Sequence, residues 1–379
     1  MPAMTLLIFI LILSILVLVH EFGHFIVAKR SGIRVEEFGL GLPPRIIGKK
    51  IGETLYSFNL LPFGGFVKLT GEDDTEITSK NDPKSFVSKR AYVRAAILMA
   101  GVTMNLILAI VVFQFVLASN NYKSLYLPLF FDHTFRFGET ETANTVVASY
   151  TEDSAGKEAG IEVGEAIIEI NDVPVYSIND VRSQVKDKAG REIKVLLMDL
   201  RRQSNGEIRS VNLVPLKDEE GNGIIGVYMT KAVTISYAND KVSAGVLHSY
   251  NMMSYSVITF ANLIKASFEA RSVGPVSEGV AGPVGIYSVV GNILSYSGSK
   301  VVLSLLDLVA LMSLSLAFLN IMPFPALDGG RLGFVVLEML RGGKKVSPNF
   351  EASVHKWGMI FLLGLIVLVT FKDVFKILS

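Results

Sequence analysis

The sequence predicts a polytopic α-helical membrane protein: four transmembrane helices, a small membrane-associated β-region on the cytoplasmic side, and one inserted α+β domain on the other side. Three observations predict it. Half of the 379 residues are hydrophobic and the mean hydropathy is +0.45, too apolar for an ordinary soluble chain. Yet 19% of residues are charged, so polar and apolar regions must alternate. The apolar residues gather into four long runs, and the stretch 141–231 between them has the composition of a soluble domain. Net charge is +1, which points to no nucleic-acid partner. There is no cysteine, so a metal site would have to use carboxylates and the five histidines: His20, His24, His133, His248 and His355.

Residues 1–30 contain the first span. At about 1.5 Å per residue, 4–28 can cross a hydrocarbon core of roughly 30 Å. Lys29, Arg30 and Arg34 follow at once, which places this end in the cytoplasm and the N-terminus outside. The run carries His20-Glu21-Phe22-Gly23-His24 in its cytoplasmic half. Four residues apart on a helix, His20 and His24 share one face, a spacing that suits two ligands of one Zn²⁺ with Glu21 beside them as acid/base group. HExxH also arises by chance in soluble helices. Two His and a Glu inside hydrocarbon are expensive, and such residues are functional by default. A signal peptide is disfavoured, because no basic residue precedes the run and no Ala-x-Ala site follows it.

Residues 31–93 change character. The runs 35–40, 46–51, 55–60 and 65–69, punctuated by Gly and Pro, read as β-structure. Residues 60–68, with Gly64, Gly65, Phe66 and Val67 at their centre, are apolar but too short to span. They read either as a membrane-dipping hairpin with an open edge for an extended peptide, or as an ordinary buried hairpin. Residues 72–90 read as a polar surface loop. The second span, 94–119, follows Lys89, Arg90 and Arg94, again a cytoplasmic flank, and carries Gly101 and Asn105 four apart for close helix contact.

Residues 120–140 read as an aromatic-rich linker. In 141–231 the expected order is a strand at 146–148, a loop with a short helix at 154–164, strands at 166–171 and 173–175, and a helix at 178–189. A hairpin of 193–200 and 207–213 about Ser204-Asn205-Gly206 and a closing segment 223–227 complete it. Residues 232–300 read as an amphipathic region, helical over 246–268 at the membrane surface and broken at Gly282-Pro283-Val284-Gly285-Ile286. The third span with its following loop occupies 301–330. It runs into Asn320-Ile321-Met322-Pro323-Phe324-Pro325-Ala326-Leu327-Asp328-Gly329-Gly330, a broken helix tolerated at membrane depth only where protein or a water cavity covers it. Asp328 is a candidate third metal ligand, or else a helix-capping Asp; Asn320 is a candidate donor to a bound peptide. Residues 331–379 read as a basic cytoplasmic loop, 341–356, and a fourth span, 357–371. Four spans starting outside put the inserted domain outside.

The order of elements in 141–231 resembles a bacterial, circularly permuted PDZ domain, most clearly at AGIEVGEAIIEINDVPV, residues 159–175. The resemblance implies peptide binding beside the helix at 178–189, with Gly223, Ile224, Ile225 and Gly226 as the carboxylate-holding loop, or alternatively a steric gate. HEFGH and NIMPFPALDGG resemble the site-2 protease family of intramembrane zinc metalloproteases, and the hairpin at 62–68, Gly101 with Asn105, the PDZ-like insert and residues 282–286 resemble its bacterial regulator-of-sigma-E-protease branch. That family implies one Zn²⁺ per chain on His20, His24 and Asp328, Glu21 as general base, Asn320 and Pro323 positioning substrate, and residues 64–67 guiding an extended substrate strand. It implies single-span membrane proteins as substrates, among them anti-sigma factors and signal-peptide remnants, and a multi-pass protein of the bacterial cytoplasmic membrane with its active site towards the cytoplasm. One PDZ-like domain stands where some members carry two. Two other classes stay open: a catalytically inactive PDZ membrane scaffold, and a metal or ion carrier, which the lack of an internal repeat disfavours. No oligomeric state follows from the sequence.

Overall fold

The structure, a computed structural model, describes residues 2–72, 82–200, 208–296 and 300–378. The chain forms two compact units: Met1–Phe113 with Leu263–Asn292 and Leu308–Ser379, and Gln114–Asn262 with Ile293–Asp307. Among the described residues, four helices are long and apolar enough to cross a membrane, at the four places expected from the sequence.

The first, α1 (Pro2–Arg30), ends with Lys29 and Arg30 in its last turn, where cations complement the helix dipole. Gly32 takes a positive φ of 69° and the Ile33 N–H returns to Ala28 O at 3.0 Å, so the helix closes in a Schellman-type turn. Two long strands follow, β1 (Val35–Ile51) and β2 (Thr54–Leu69). Their register folds each strand in two. Residues 65–69 pair with 35–40, which pair on their other side with 55–58, which pair in turn with 47–51. Residues 65–69 are therefore an edge. Phe25 of α1 meets Phe38 and Tyr56 of the sheet, with ring centroids 5.1 and 6.0 Å away, and this aromatic cluster seats the sheet on the helix end. In the polar stretch after β2, Phe86 is buried in a short 3₁₀ turn, so that loop is anchored; residues 73–81 lie outside the described residues. The second long helix, α2 (Ala91–Ser119), lies close against α1, since a Cβ on Gly23 would stand 2.7 Å from the Ala100 carbonyl carbon.

The second unit is built on β3 (Leu127–Leu129), β4 (Glu139–Tyr150), α3 (Ala155–Glu158), β5 (Glu165–Ile170), β6 (Val173–Pro174), α4 (Ile178–Lys186), β7 (Ile193–Asp199), β8 (Ile208–Leu213), β9 (Leu216–Lys217), β10 (Gly223–Ile224) and β11 (Val227–Ser236). The main sheet is antiparallel, in the order β3-β11-β4-β5-β7-β8, with β6 beside β5. Alternate residues of β7 point inward, and Val195 and Leu197 are fully buried with Ile167, Ile170, Val181 and Val185. Ser154 and Ser177 cap α3 and α4, each hydroxyl accepting a backbone N–H at 3.1 Å. Asn171 and Asp172 both take positive φ, which makes the tight turn between β5 and β6.

Four expectations are corrected. Residues 120–140 are not merely a linker, because they hold β3 and the start of β4. Beyond 231, β11 continues to Ser236, since it pairs with β4 to its end and with β3 as far as Val233. The expected break at Gly282-Pro283-Val284-Gly285-Ile286 is a helix start: α6 (Gly274–Gly279) ends before it and α7 begins at Pro283 (Pro283–Tyr296), the position where a missing N–H costs nothing. Asp373 completes that start, its Oδ2 accepting from the Gly282 and Gly285 N–H groups at 2.9 Å. The loop expected over 341–356 is shorter. The last helix begins at Pro348, with the Ser347 hydroxyl accepting from the Phe350 N–H at 3.3 Å. The hairpin turn about Ser204-Asn205-Gly206 lies outside the described residues.

Between these regions run α5 (Ala244–Glu269), the helix expected at 246–268, and α8 (Val301–Ile321), α9 (Asp328–Leu340) and α10 (Pro348–Leu378). Within the second unit, Asn251 of α5 donates its Nδ2 to Phe137 O and to the Tyr237 hydroxyl at 2.8 Å each.

Candidate metal centre

Helix periodicity stacks His20 and His24 on one buried face of α1, with their Nε2 atoms 3.2 Å apart. Asp328, first residue of α9, brings its Oδ2 to 3.0 Å from His20 Nε2 and 3.3 Å from His24 Nε2. One ligand atom from each residue thus falls within 4.8 Å of the others.

The residues present fit a tetrahedral zinc site with a position left open. Asp328 Oδ2 is buried without a hydrogen bond although both imidazoles surround it, which is what a carboxylate prepared for a cation looks like. The His24 Nδ1 can only donate to the Ile97 carbonyl, 2.8 Å away, so its Nε2 presents a lone pair to the centre. His20 Nδ1 lies 3.3 Å from the Asn105 amide. The two ends of an amide are assigned by their partners. With Asn105 Oδ1 turned towards it, His20 Nδ1 donates and its Nε2 likewise faces the centre.

Glycines make the approach possible. A Cβ on Gly101 would overlap both imidazoles, and one on Gly329 would overlap the Met322 carbonyl. A Cβ on Gly330 would stand 2.9 Å from the Phe324 carbonyl carbon. The first turn of α9 therefore rests directly on the bend after α8, and Asp328 is delivered by a backbone that only glycine permits at the next two positions. Ala326 in that bend holds a positive φ of 76°, and its N–H donates to His355 Nδ1 at 2.9 Å.

Glu21 faces the sheet edge. The backbone of Val67 hydrogen-bonds it, and a Cβ on Gly65 would stand 3.7 Å from Glu21 Cγ. Ser14 Oγ donates to Pro62 O at 2.8 Å, so residues 62–67 run along α1 beside the acid. Gly64 takes a positive φ at the bend, and the Phe66 ring lies over Gly39. The structure thus brings His20, His24, Asp328, Glu21, Gly65 and Val67 together. Asn320, half-buried, lies in the last turn of α8, and exposed Pro323 lies in the bend; neither belongs to the ligand cluster. Gly223 and Ile224 form β10 in the other unit, paired with Lys217 and Leu216, and Gly223 lies against the end of α4. Ile225 O accepts from the Gly156 N–H at 2.8 Å, and Gly226 takes a positive φ. Sequence reasoning missed Ile97, since a backbone carbonyl leaves no side-chain signature, and it read Gly101 only as a packing residue.

Comparison with known proteins agrees with this centre. The profile described as "Peptidase family M50" matches residues 8–365. The chain is 31% identical over 372 residues to a Clostridium perfringens protein named "Putative zinc metalloprotease", covering 96% of this chain and 97% of that one. It is 30% identical over 377 residues to a Fusobacterium nucleatum protein of the same description, covering 99% and 100%. Zinc metalloprotease RasP of Shouchella clausii is 26% identical over 462 residues, covering 99% and 100%. A match over nearly the whole chain, on a fold that assembles a His-His-Asp cluster, places the chain in peptidase family M50.

Proposed function

We propose that the chain is an intramembrane zinc metalloendopeptidase that cleaves transmembrane segments of single-span membrane proteins. The observation that carries this is the convergence of His20 Nε2, His24 Nε2 and Asp328 Oδ2 beside Glu21, on a helix apolar and long enough to span a membrane. One Zn²⁺ per chain would be held by those three atoms. When bound, zinc supplies Lewis acidity, polarising a carbonyl and lowering the pKa of water to about 7.

The chain's own residues do the rest. Glu21 receives a proton from the attacking water on its carboxylate and hands it to the departing amine. A helical peptide bond is hydrogen-bonded and shielded, so the substrate must unwind. The edge at residues 65–69 offers its backbone new partners next to Glu21. Asn320 and Pro323, in the reading taken from the family, position the unwound strand. The domain over 141–231 is read as PDZ-like and extracytoplasmic, acting at Gly223–Gly226 as a peptide site or as a whole as a size gate. The active site faces the cytoplasm of a bacterial inner membrane, and anti-sigma factors or signal-peptide remnants are the substrates in view.

The test is Glu21→Gln in purified protein with a single-span reporter. Cleavage falls below detection while about one zinc per chain is retained. Turnover by this variant at the wild-type rate would remove Glu21 as the base and the mechanism with it.

A further inference from the structure

We propose that the buried ion pair between Arg94 and Glu338 is a positioning device for the third metal ligand, setting the register and rotation of α9 so that Asp328 meets His20 and His24. This rests on the zinc-site reading above and adds two residues to it.

The three ligands come from two bodies. α1 and α2 are locked together by the His24–Ile97 hydrogen bond and by the close approaches at Gly23 and Gly101. These helices carry both histidines. Asp328 arrives separately on α9, joined to α8 by the bend between Ile321 and Asp328. Something must orient α9 on α2.

The face that does so is regular. Asp328, Leu332, Val335 and Glu338 follow at intervals of four, three and three, so they form one stripe on α9. The ligand stands at one end of the stripe. Leu332 and Val335 pack in its middle, in the cluster that contains Ile97 and Leu98 of α2. Glu338 stands at the other end, about 15 Å along the helix from Asp328. There Arg94 Nη2 reaches both carboxylate oxygens of Glu338 at 2.6 Å. Arg94 lies one turn before Ile97, the residue whose carbonyl holds His24. The pair therefore joins the helix that orients His24 to the helix that delivers Asp328.

The apolar part of the stripe cannot fix the angle by itself, because hydrophobic contact is non-directional. A hydrogen-bonded ion pair is directional. Its burial is also informative: the two side chains are only 8% and 10% exposed. A buried pair is weak evidence for stability, since desolvation offsets much of the attraction and a well-packed apolar pair is often as stable. Stability alone does not account for charges here; a requirement for one register does.

The experiment compares full-length protein in detergent, wild type against the double variant Arg94→Leu/Glu338→Leu and against Glu338→Gln. Zinc affinity is measured by chelator competition, and the melting temperature is measured on metal-free protein. The leucine pair is expected to melt at or above the wild type and yet bind zinc about tenfold or more weakly, the range seen for groups that orient ligands. A leucine pair that binds zinc with wild-type affinity overturns the inference and leaves the zinc site standing. Should the double variant not fold, Glu338→Gln decides by the same comparison. Weaker zinc at an unchanged metal-free melting temperature supports positioning, and unchanged zinc overturns it. Wild-type protein that binds no zinc overturns the inference and the zinc-site reading together.

Discussion

Gly101 shows how little space surrounds the two imidazoles. A methyl group there overlaps both rings, and neither ring can retreat, because each Nδ1 is held from behind. Gly101→Ala is expected to lower zinc occupancy and to cost about 1–3 kcal/mol of stability as an overpacked contact. Metal analysis and thermal unfolding check both. Asp328→Asn removes the charge but keeps the shape, so bound zinc should fall well below one per chain while the metal-free protein stays folded; full occupancy would take Asp328 out of the ligand set. At this scale much was legible. His20, Glu21 and His24 announce themselves because their chemistry sits at helical spacing in hydrocarbon, and Asp328 because two glycines and two prolines surround it. Arg94 was legible only as a basic flank, whereas it is buried against Glu338. Lys89 and Arg90 are left to carry the argument for a cytoplasmic flank. Glu338 did leave a signal, a lone acid within the apolar helix FVVLEML, but its partner lies 244 positions away in sequence.

At the scale of elements, the folded hairpin sets what stands beside Glu21. Phe66 lies over Gly39, so Gly39→Val should push the ring aside and disturb the edge. Reporter cleavage is expected to fall about tenfold or more with zinc occupancy intact, and cleavage at the wild-type rate would detach the edge from catalysis. The four runs of this region were readable as strands from Gly and Pro punctuation. Their side-by-side order was not, because pairing depends on register and apolar residues stand on both faces. The misread elements have similar causes. β3 is three residues long, too short to show an alternation. The early start of α10 was written in Ser347-Pro348, but the polar turn that follows masked it.

For the molecule as a whole, the second unit contains a buried histidine that makes its stability pH-dependent. His248 lies 3.0 Å from the Tyr237 hydroxyl. Burial depresses its imidazole from 6.5 to about 3. Between those values the unfolded chain binds a proton that the folded one refuses, so stability falls as pH falls through that window. The slope from this one group is at most about 1.4 kcal/mol per pH unit. Hydrogen exchange in β11 and α5 of the full chain, corrected for its intrinsic pH dependence, should show less protection at pH 5 than at pH 7, and His248→Gln should flatten the difference. The change in character near 141 and 231 was legible from composition, since hydropathy changes over tens of residues; the bounds of the two units, which fall inside α2, α5, α7 and α8, were not. The extra length of β4 and β11 was not, because it arises from the pairing of the two strands with each other.

The edge at residues 65–69 also limits how much of a substrate is disturbed. Five residues in a helix occupy about 7.5 Å along its axis, and the same five drawn out as a strand occupy about 17 Å. On the proposed reading, a client helix needs only a local failure little more than one turn long, placed at the depth of Glu21. What would mark a client is then the position of its weakest turn, set by residues such as glycine or proline, more than any particular amino acid at the cut bond.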